Sequence, residues 1–376
     1  MRGLQYWPFY LQSNVCSFSY NLVGFEMDWW KKKKSRAVTK KQRLVLGRVR
    51  GEILSEELIE CCDGKSNPIK LFSAADITKA TNSFCICSRV SQLFGFERWY
   101  SGTLHNHRTI LAKKLWRAQS VFPKDFYPEA RDITISSMVS GHKNFMKLAG
   151  CCLEIETPFM VYYGSEKQYS TIDLKMVVSW EKRIKIAEDV ATALAYLHTA
   201  FPRPFVYSNM DLRNIVLDEN GVAKLSDFSY CVSIPKGQTF VKLDYVRGAY
   251  DYIDDDYKIS HVVSEKTDAF GFGILMQKLL TGEERFREIC GRKDRKTLVK
   301  RKFSRLLSKP MGEGRVDEIV DPRMLEKMGE VDEEERFQME AFLVLSERCI
   351  GLRGEVPKMV EVAKQLKRFC QNFFFR

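Results

Sequence analysis

Hydrophobic positions change their spacing along the chain, and the changes mark its organisation. From Val38 to Cys62 the apolar residues Val45, Val49, Ile53 and Ile59 recur at helical spacing, and the acids Glu52, Glu56, Glu57 and Glu60 follow a basic run. This predicts an amphipathic helix ended by Asp63-Gly64, with an apolar stripe that covers the fold or meets a partner. Residues 65–68 read as a short linker, and residues 71–165 alternate short β-rich runs with turns around one helical stretch near 124–140. From Trp180 onward the period is helical. Trp180, Ile184, Ala187, Ala191, Leu194 and His198 fall on one face, as a buried helix requires. Mostly strands followed by mostly helices predicts an α+β fold of two lobes with a cleft between them. The expected parts are a leader over 1–26, a basic segment and amphipathic helix over 27–70, a β-rich N-lobe over 71–165 and a helical C-lobe over 166–376.

Composition narrows the class. With 376 residues and 45% apolar content the chain supports a large core. Its 11 cysteines are odd in number and contain no C-x-x-C, and no secretory signal precedes them, so reduced intracellular thiols are expected. His105 and His107 sit in a turn pattern, which argues against a metal site. No run of 18 apolar residues occurs, so no membrane span is expected. The formal net charge is +12, and ten Lys or Arg with no acid lie between residues 31 and 50. Everything else is therefore nearly neutral, which argues against a nucleic-acid-binding face on the fold. Behind Trp29-Trp30, residues 29–50 either make peripheral contact with an anionic membrane or form a solvated helix start.

Chemistry concentrates in "FVYSNMDLRNIVLDENGVAKLSDFS", residues 205–229. Its cadence is that of a protein-kinase catalytic loop running into a metal-binding loop. Other stretches agree, in the same order. "LFSAADITKATNSF", "GHKNFMKLAGCCLE", "SEKTDAFGFGILMQKLLTG" and "VDEIVDPRM" each resemble a motif of the plant receptor-like cytoplasmic kinases. The resemblance runs from about Leu71 to Leu366 and implies a two-lobed, protein-kinase-like fold. Fold does not settle function, so each working part is weighed by itself.

Phosphoryl transfer needs positioning and charge neutralisation, divided among a few parts. A phosphate lid needs glycines, because backbone amides approach phosphates only where side chains are missing. Here the three glycine positions hold Gln92, Phe94 and Glu97, with Gly95 between them. In "TILAKKL" Lys113 stands at the phosphate-anchoring position, and its helix partner is either Glu129 or Asp132. The general-base position holds Asn209, which cannot accept a proton at neutral pH, so a factor of about 10² to 10⁴ in rate is absent. Asp211 replaces the loop lysine and places negative charge where a clamp should be. Asp211 acting as a substitute base is the one conceivable rescue. Ser208 replaces the arginine that reads a phosphorylated activation loop. Asn214 and Asp227 match the metal-holding positions, and Ser229 replaces the glycine after Phe228. Lys113, Asn214 and Asp227 are thus the candidate nucleotide residues, and Asn214 and Asp227 the candidate metal ligands. ATP and Mg2+ are expected to bind weakly or not at all. Asp255-Asp256 and Val356 replace both ends of a buried ion pair together, which avoids an unpaired charge.

More narrowly, "WWKKKK", "ELIECCDGKSNPIKLFSA", "VSGHKNFMKL" and "YSNMDLRNIVLDE" resemble the ZED-related, non-functional pseudokinases of plants. That resemblance implies a catalytically inactive adaptor in defence signalling. It would link a coiled-coil leucine-rich-repeat immune receptor to another receptor-like cytoplasmic kinase or to a bacterial effector. The implied location is cytoplasmic, with a peripheral place at the plasma membrane if the basic segment engages lipid. The alternative is a weakly active ATP-binding Ser/Thr protein kinase or nucleotide-regulated switch. Similarity to the group begins at Met27, so residues 1–26 are expected to be disordered or an artefact of start-site choice.

Overall fold

Period-2 alternation in the upper strands builds a sheet with two different faces. In the computed structural model, five strands lie in the order β1-β4-β5-β3-β2. They are β1 (Lys70–Leu71), β2 (Arg98–Thr103), β3 (Thr109–Lys114), β4 (Leu148–Cys152) and β5 (Phe159–Tyr163). β1 pairs with β4 in parallel and the other pairs are antiparallel. Register sets Trp99 opposite Lys113, Lys113 opposite Met160 and Leu111 opposite Tyr162. Paired residues share a face, so these five side chains all point one way. All but Lys113 join Ala130 and Ile133 of helix α3 (Pro128–Val139) in one apolar cluster. The opposite face, with Tyr100, Ala112, Val161 and Phe159, packs on Ile77 of helix α2 (Ala74–Ala80). Ser73 starts α2 with a reciprocal capping box to Asp76.

The structure describes residues 39–62, 64, 68–91, 93, 98–115, 127–290, 318–329, 331 and 333–374. The expectations for the leader 1–26 and for residues 29–38 of the basic run lie outside these residues. The chain divides into residues 1–43 and residues 44–376, and both lobes belong to the second unit.

The lower lobe is built around α4 (Trp180–Thr199) and α6 (Glu265–Cys290, kinked at Gly282), with α8 (Glu333–Cys349) and α9 (Met359–Phe374) against them. Here α5 is Asp255–Ser260 and α7 is Pro322–Met328. Trp180, Ile184, Ala187, Ala191, Leu194 and His198 are all buried on α4, as their spacing predicts. A Cβ on Gly273 of α6 would meet Ser346 backbone oxygen at 2.8 Å and an Ile350 methyl at 2.6 Å, so this close helix contact needs glycine. Arg183 is fully buried and pairs with Asp321 at 2.6 Å, tying α4 to the segment entering α7. Between the lobes, β6 (Tyr169–Thr171), β8 (Ile215–Asp218) and β9 (Ala223–Leu225) form a small sheet, and the short strand β7 (Phe205–Val206) leads into the catalytic-loop region.

Helix α1 (Lys40–Cys62) corrects the sequence expectation on one point. The predicted stripe is mostly exposed: Val45, Val49 and Ile59 face solvent. The helix docks instead through Gly47, Arg50, Leu54, Glu57 and Cys61, which also recur at helical spacing. Gly47 lies against the Glu154 side chain, and Arg50 donates to the carbonyls of Leu153 at 2.9 Å, Ile155 and Glu156 at 2.6 Å. Of the predicted stripe only Ile53 packs on the fold, beside Leu54 and Leu58, and the polar contacts of Arg50 and Glu57 share that face.

Candidate functional site

The back of the cleft is assembled around one carboxylate. Lys113 on β3 reaches Asp132 on α3, Nζ to Oδ2 at 2.9 Å, with the ammonium 0% and the carboxylate 1% exposed. Glu129 lies one turn earlier on the same helix, and the partner of Lys113 is Asp132. The other oxygen, Oδ1, accepts from the Phe228 amide at 2.9 Å and the Ser136 hydroxyl at 3.3 Å. Burial pushes the Asp132 carboxyl above its usual range, and the Lys113 ammonium works against that shift. The shorter Asp reaches Lys113 because α3 sits close to the sheet, through Ala130 and Ile133.

Below Asp132 a column of rings continues into the lower lobe. Phe228 lies 5.8 Å from Phe145 and 5.7 Å, edge-on, from Tyr207. Tyr207 donates its hydroxyl to the Ser226 carbonyl at 2.6 Å, and burial keeps the phenol protonated well above its ordinary value. Asp268, near the start of α6, accepts from the amides of Tyr207 at 2.7 Å and Ser208 at 2.8 Å. His198 closes the set at 2.8 Å from the same carboxylate. Ser208 itself has a left-handed φ of 55°. A Cβ on Gly248 would meet its carbonyl oxygen at 1.9 Å, so only glycine allows the activation segment this close.

The front of the cleft is satisfied by its own neighbours. Asn209, in the base position, donates Nδ2 to the Asp227 carbonyl at 3.1 Å. Asn214 donates Nδ2 to the Asn209 carbonyl at 2.9 Å. Asp227, with φ of 60°, accepts at Oδ1 from the Ser229 hydroxyl at 2.5 Å and the Ser229 amide at 3.2 Å. Asp211 holds the Arg213 guanidinium through both oxygens, at 2.6 and 3.0 Å, and also caps the turn at the Arg213 amide. Both oxygens of the would-be substitute base are therefore engaged. The replacements at Asp255 and Val356 leave no buried charge between them: Asp255 pairs with Lys258 at the surface, 3.4 Å away, and Val356 packs on the lower core. The glycine-position residues Gln92, Phe94, Gly95 and Glu97 lie outside the described residues.

A magnesium–nucleotide would be held by the Lys113 ammonium and by carboxylate oxygen of Asp227. In this arrangement Lys113 is sealed against Asp132, and one Asp227 oxygen is held by Ser229. That ion pair is also made in nucleotide-competent kinases, and Ser229 engages only one of the two Asp227 oxygens. Among the described residues no group of three or more His, Cys, Asp or Glu could hold a metal ion, and no helix is long and apolar enough to cross a membrane.

Residues 96–345 match the protein kinase domain. The chain belongs to the protein kinase family. Within that family it falls among the plant ZED-related pseudokinases. It is 59% identical to the non-functional pseudokinase ZRK15 of Arabidopsis thaliana, over 92% of this chain and 97% of that one. It is 39% identical to the non-functional pseudokinase ZED1 of the same plant, over 84% and 94%. In fold it is similar to the pseudokinase domain of BIR2, an immune regulator of the RLK/Pelle family, with a TM-score of 0.55, 20% identity and coverage of 85% and 94%.

Two features of this pseudokinase escaped the sequence reading. Arg131, next to Asp132, pairs with Glu57 of α1 at 2.8 Å and donates to the Cys231 carbonyl, just past Phe228, at 3.0 Å. Arg203 of the lower lobe donates to the Glu60 carbonyl at 2.6 Å. Helix α1 thus ties α3, the start of the activation segment and the lower lobe together. Glu57 is one of several acids behind a basic run, and nothing in the sequence separates it from its solvated neighbours. The second feature is Trp99, buried directly across β2–β3 from Lys113. Its signal was present: a large aromatic at the strand position nearest the phosphate lid.

Proposed function

We propose that this chain is a catalytically silent member of the kinase family that acts as an adaptor in plant defence signalling. The observation that carries the reading is the front of the cleft. An amide stands at the base position, hydrogen-bonded to Asp227, and both oxygens of Asp211 are held by Arg213. Neither side chain is placed to take a proton from a substrate hydroxyl. The assembled back of the cleft supports a rigid surface in place of chemistry. In this reading the partners are a coiled-coil leucine-rich-repeat immune receptor, a second receptor-like cytoplasmic kinase and a bacterial effector. ATP and Mg2+ contribute weakly or not at all. The protein is cytoplasmic, and residues 29–50 supply a peripheral contact with anionic lipid.

The upper lobe, with the exposed Val45 and Val49 of α1, is assigned to the receptor. The activation segment, residues 233–257, is assigned to the second kinase. Its aromatics divide sharply. Tyr252 and Tyr257 are buried and hold the segment down, whereas Phe240 is 53% exposed. Tyr245 lies half-buried with the Arg247 guanidinium 4.7 Å from its ring. An exposed aromatic on a fixed strand is the type of group that anchors an interface. Phe240→Ala should weaken capture of the second kinase by about 1 to 3 kcal/mol and leave receptor binding unchanged. Equal loss of both partners would refute the assignment. The second reading, a weakly active Ser/Thr kinase, is favoured by the intact Lys113–Asp132 pair. Phosphate transfer from labelled ATP by the wild-type protein would establish it.

A further inference from the structure

In a kinase fold the β3 lysine meets the nucleotide phosphates. Any nucleotide that reaches Lys113 must lie along the sheet face that carries it. That face also carries Trp99, Leu111, Met160 and Tyr162. Trp99 is opposite Lys113 in register, and the Lys113 ammonium stands 6.0 Å from the centre of its indole ring. The indole also meets the Tyr162 ring, 5.6 Å between centroids. The apolar cluster holding these residues extends across the cleft to Val216 of β8, two residues past Asn214, and Val216 is only 2% exposed. In an open cleft the residues above and below a bound ring would face solvent when the ring is absent. Here Leu111 above and Val216 below are both sealed, and a planar heteroaromatic side chain lies in the same cluster.

We propose that Trp99 is a built-in occupant of the slot that would receive the nucleotide base. Its indole takes the place of a planar heteroaromatic ring between the upper sheet and Val216. The inward position of α3 is then held without a ligand, and partners meet one cleft conformation whatever the ATP concentration. This deepens the reading of the chain as a pseudokinase and rests on it. It also fits the burial of the Lys113 ammonium, whose attractive neighbours include Asp132 at 2.9 Å and the indole ring 6.0 Å away.

Thermal unfolding of the full chain tests the idea, with ATP–Mg2+, adenosine and indole as separate probes. Wild type and Trp99→Phe should show no ligand-dependent shift in midpoint. Trp99→Ala should unfold at a lower temperature, and both indole and adenosine should raise its midpoint, since a ligand that binds only the folded state stabilises it. If Trp99→Ala does not fold, Trp99→Val keeps an apolar β-branched residue in the strand, opens part of the same space and takes its place. A midpoint shift of wild type with adenosine or ATP–Mg2+ would overturn the proposal. So would a folded Trp99→Ala or Trp99→Val protein that responds to neither indole nor adenosine. Nucleotide binding without phosphate transfer would sink this inference alone, whereas phosphate transfer would sink the pseudokinase reading itself.

Discussion

The back and the front of the cleft each centre on an aspartate, and the two have opposite surroundings. Asp132 is buried, and its oxygens serve Lys113, the Phe228 amide and the Ser136 hydroxyl, three elements that must meet for the lobes to assemble. Asp211 is 13% exposed, and its partner Arg213, two residues away in the same loop, is 52% exposed. Losing Asp132 would strand a buried ammonium, so the position is constrained by folding whether or not any chemistry is performed. Changing the loop position now held by Asp211 leaves its direct partner Arg213 in contact with solvent. Retained kinase residues at the back are therefore weak evidence of catalysis, and altered residues at the front are strong evidence against it.

The comparison is broken most directly at Asp132. Asp132→Ala should cost about 3–5 kcal/mol in chemical denaturation, because Lys113 is left charged and buried. The double change Asp132→Leu with Lys113→Met should recover most of that loss, since a buried pair replaced by apolar side chains is often near neutral. If the single change cost under 1 kcal/mol, the back of the cleft would be no more constrained than the front.

Alkaline pH should produce the next largest effect. Burial pushes the thiol of Cys152 up to about 11 and that of Cys151 to about 12, both on β4 of the upper sheet. Below the ordinary thiol value of 9.0 the folded and unfolded chains hold the same protons, and the contribution is fully present. As pH rises from there through 11, the unfolded chain releases protons that the folded chain keeps, and stability falls. The loss should be on the order of 1 kcal/mol per pH unit for each thiol. A melting midpoint that is flat between about pH 9 and 11 would show the sheet interior to be open to solvent.

Asp211→Ala should have the smallest effect, under about 1 kcal/mol, because its partner Arg213 is half in solvent and keeps its hydration when the carboxylate is removed. A loss as large as that of Asp132→Ala would erase the distinction between the two regions.

Legibility in the sequence follows the same division. The lobes, the buried face of α4 and the altered front were readable, because periodicity and ordered motifs report on them directly. Lys113 was placed by its strand motif, but its partner stayed open between Glu129 and Asp132, since one inserted residue changes which helix position faces the sheet. The docking face of α1 was found only in part, through Ile53, because Arg50 and Glu57 make contacts that hydrophobic spacing does not register. Trp99 was passed over for a related reason. An aromatic in a strand reads as ordinary core, and only the register opposite Lys113 reveals which space it fills.

Phosphate transfer is the most direct test of the account, whose central claim is that assembly is retained while the chemistry is dismantled. The purified full chain is incubated with Mg2+, labelled ATP and a generic protein substrate, beside Asn209→Asp and an Asp227→Asn control. The account predicts that wild type and Asn209→Asp both stay at the level of the control, because restoring a base leaves the negative charge of Asp211 in the clamp position. Incorporation by wild type that disappears in Asp227→Asn would contradict it.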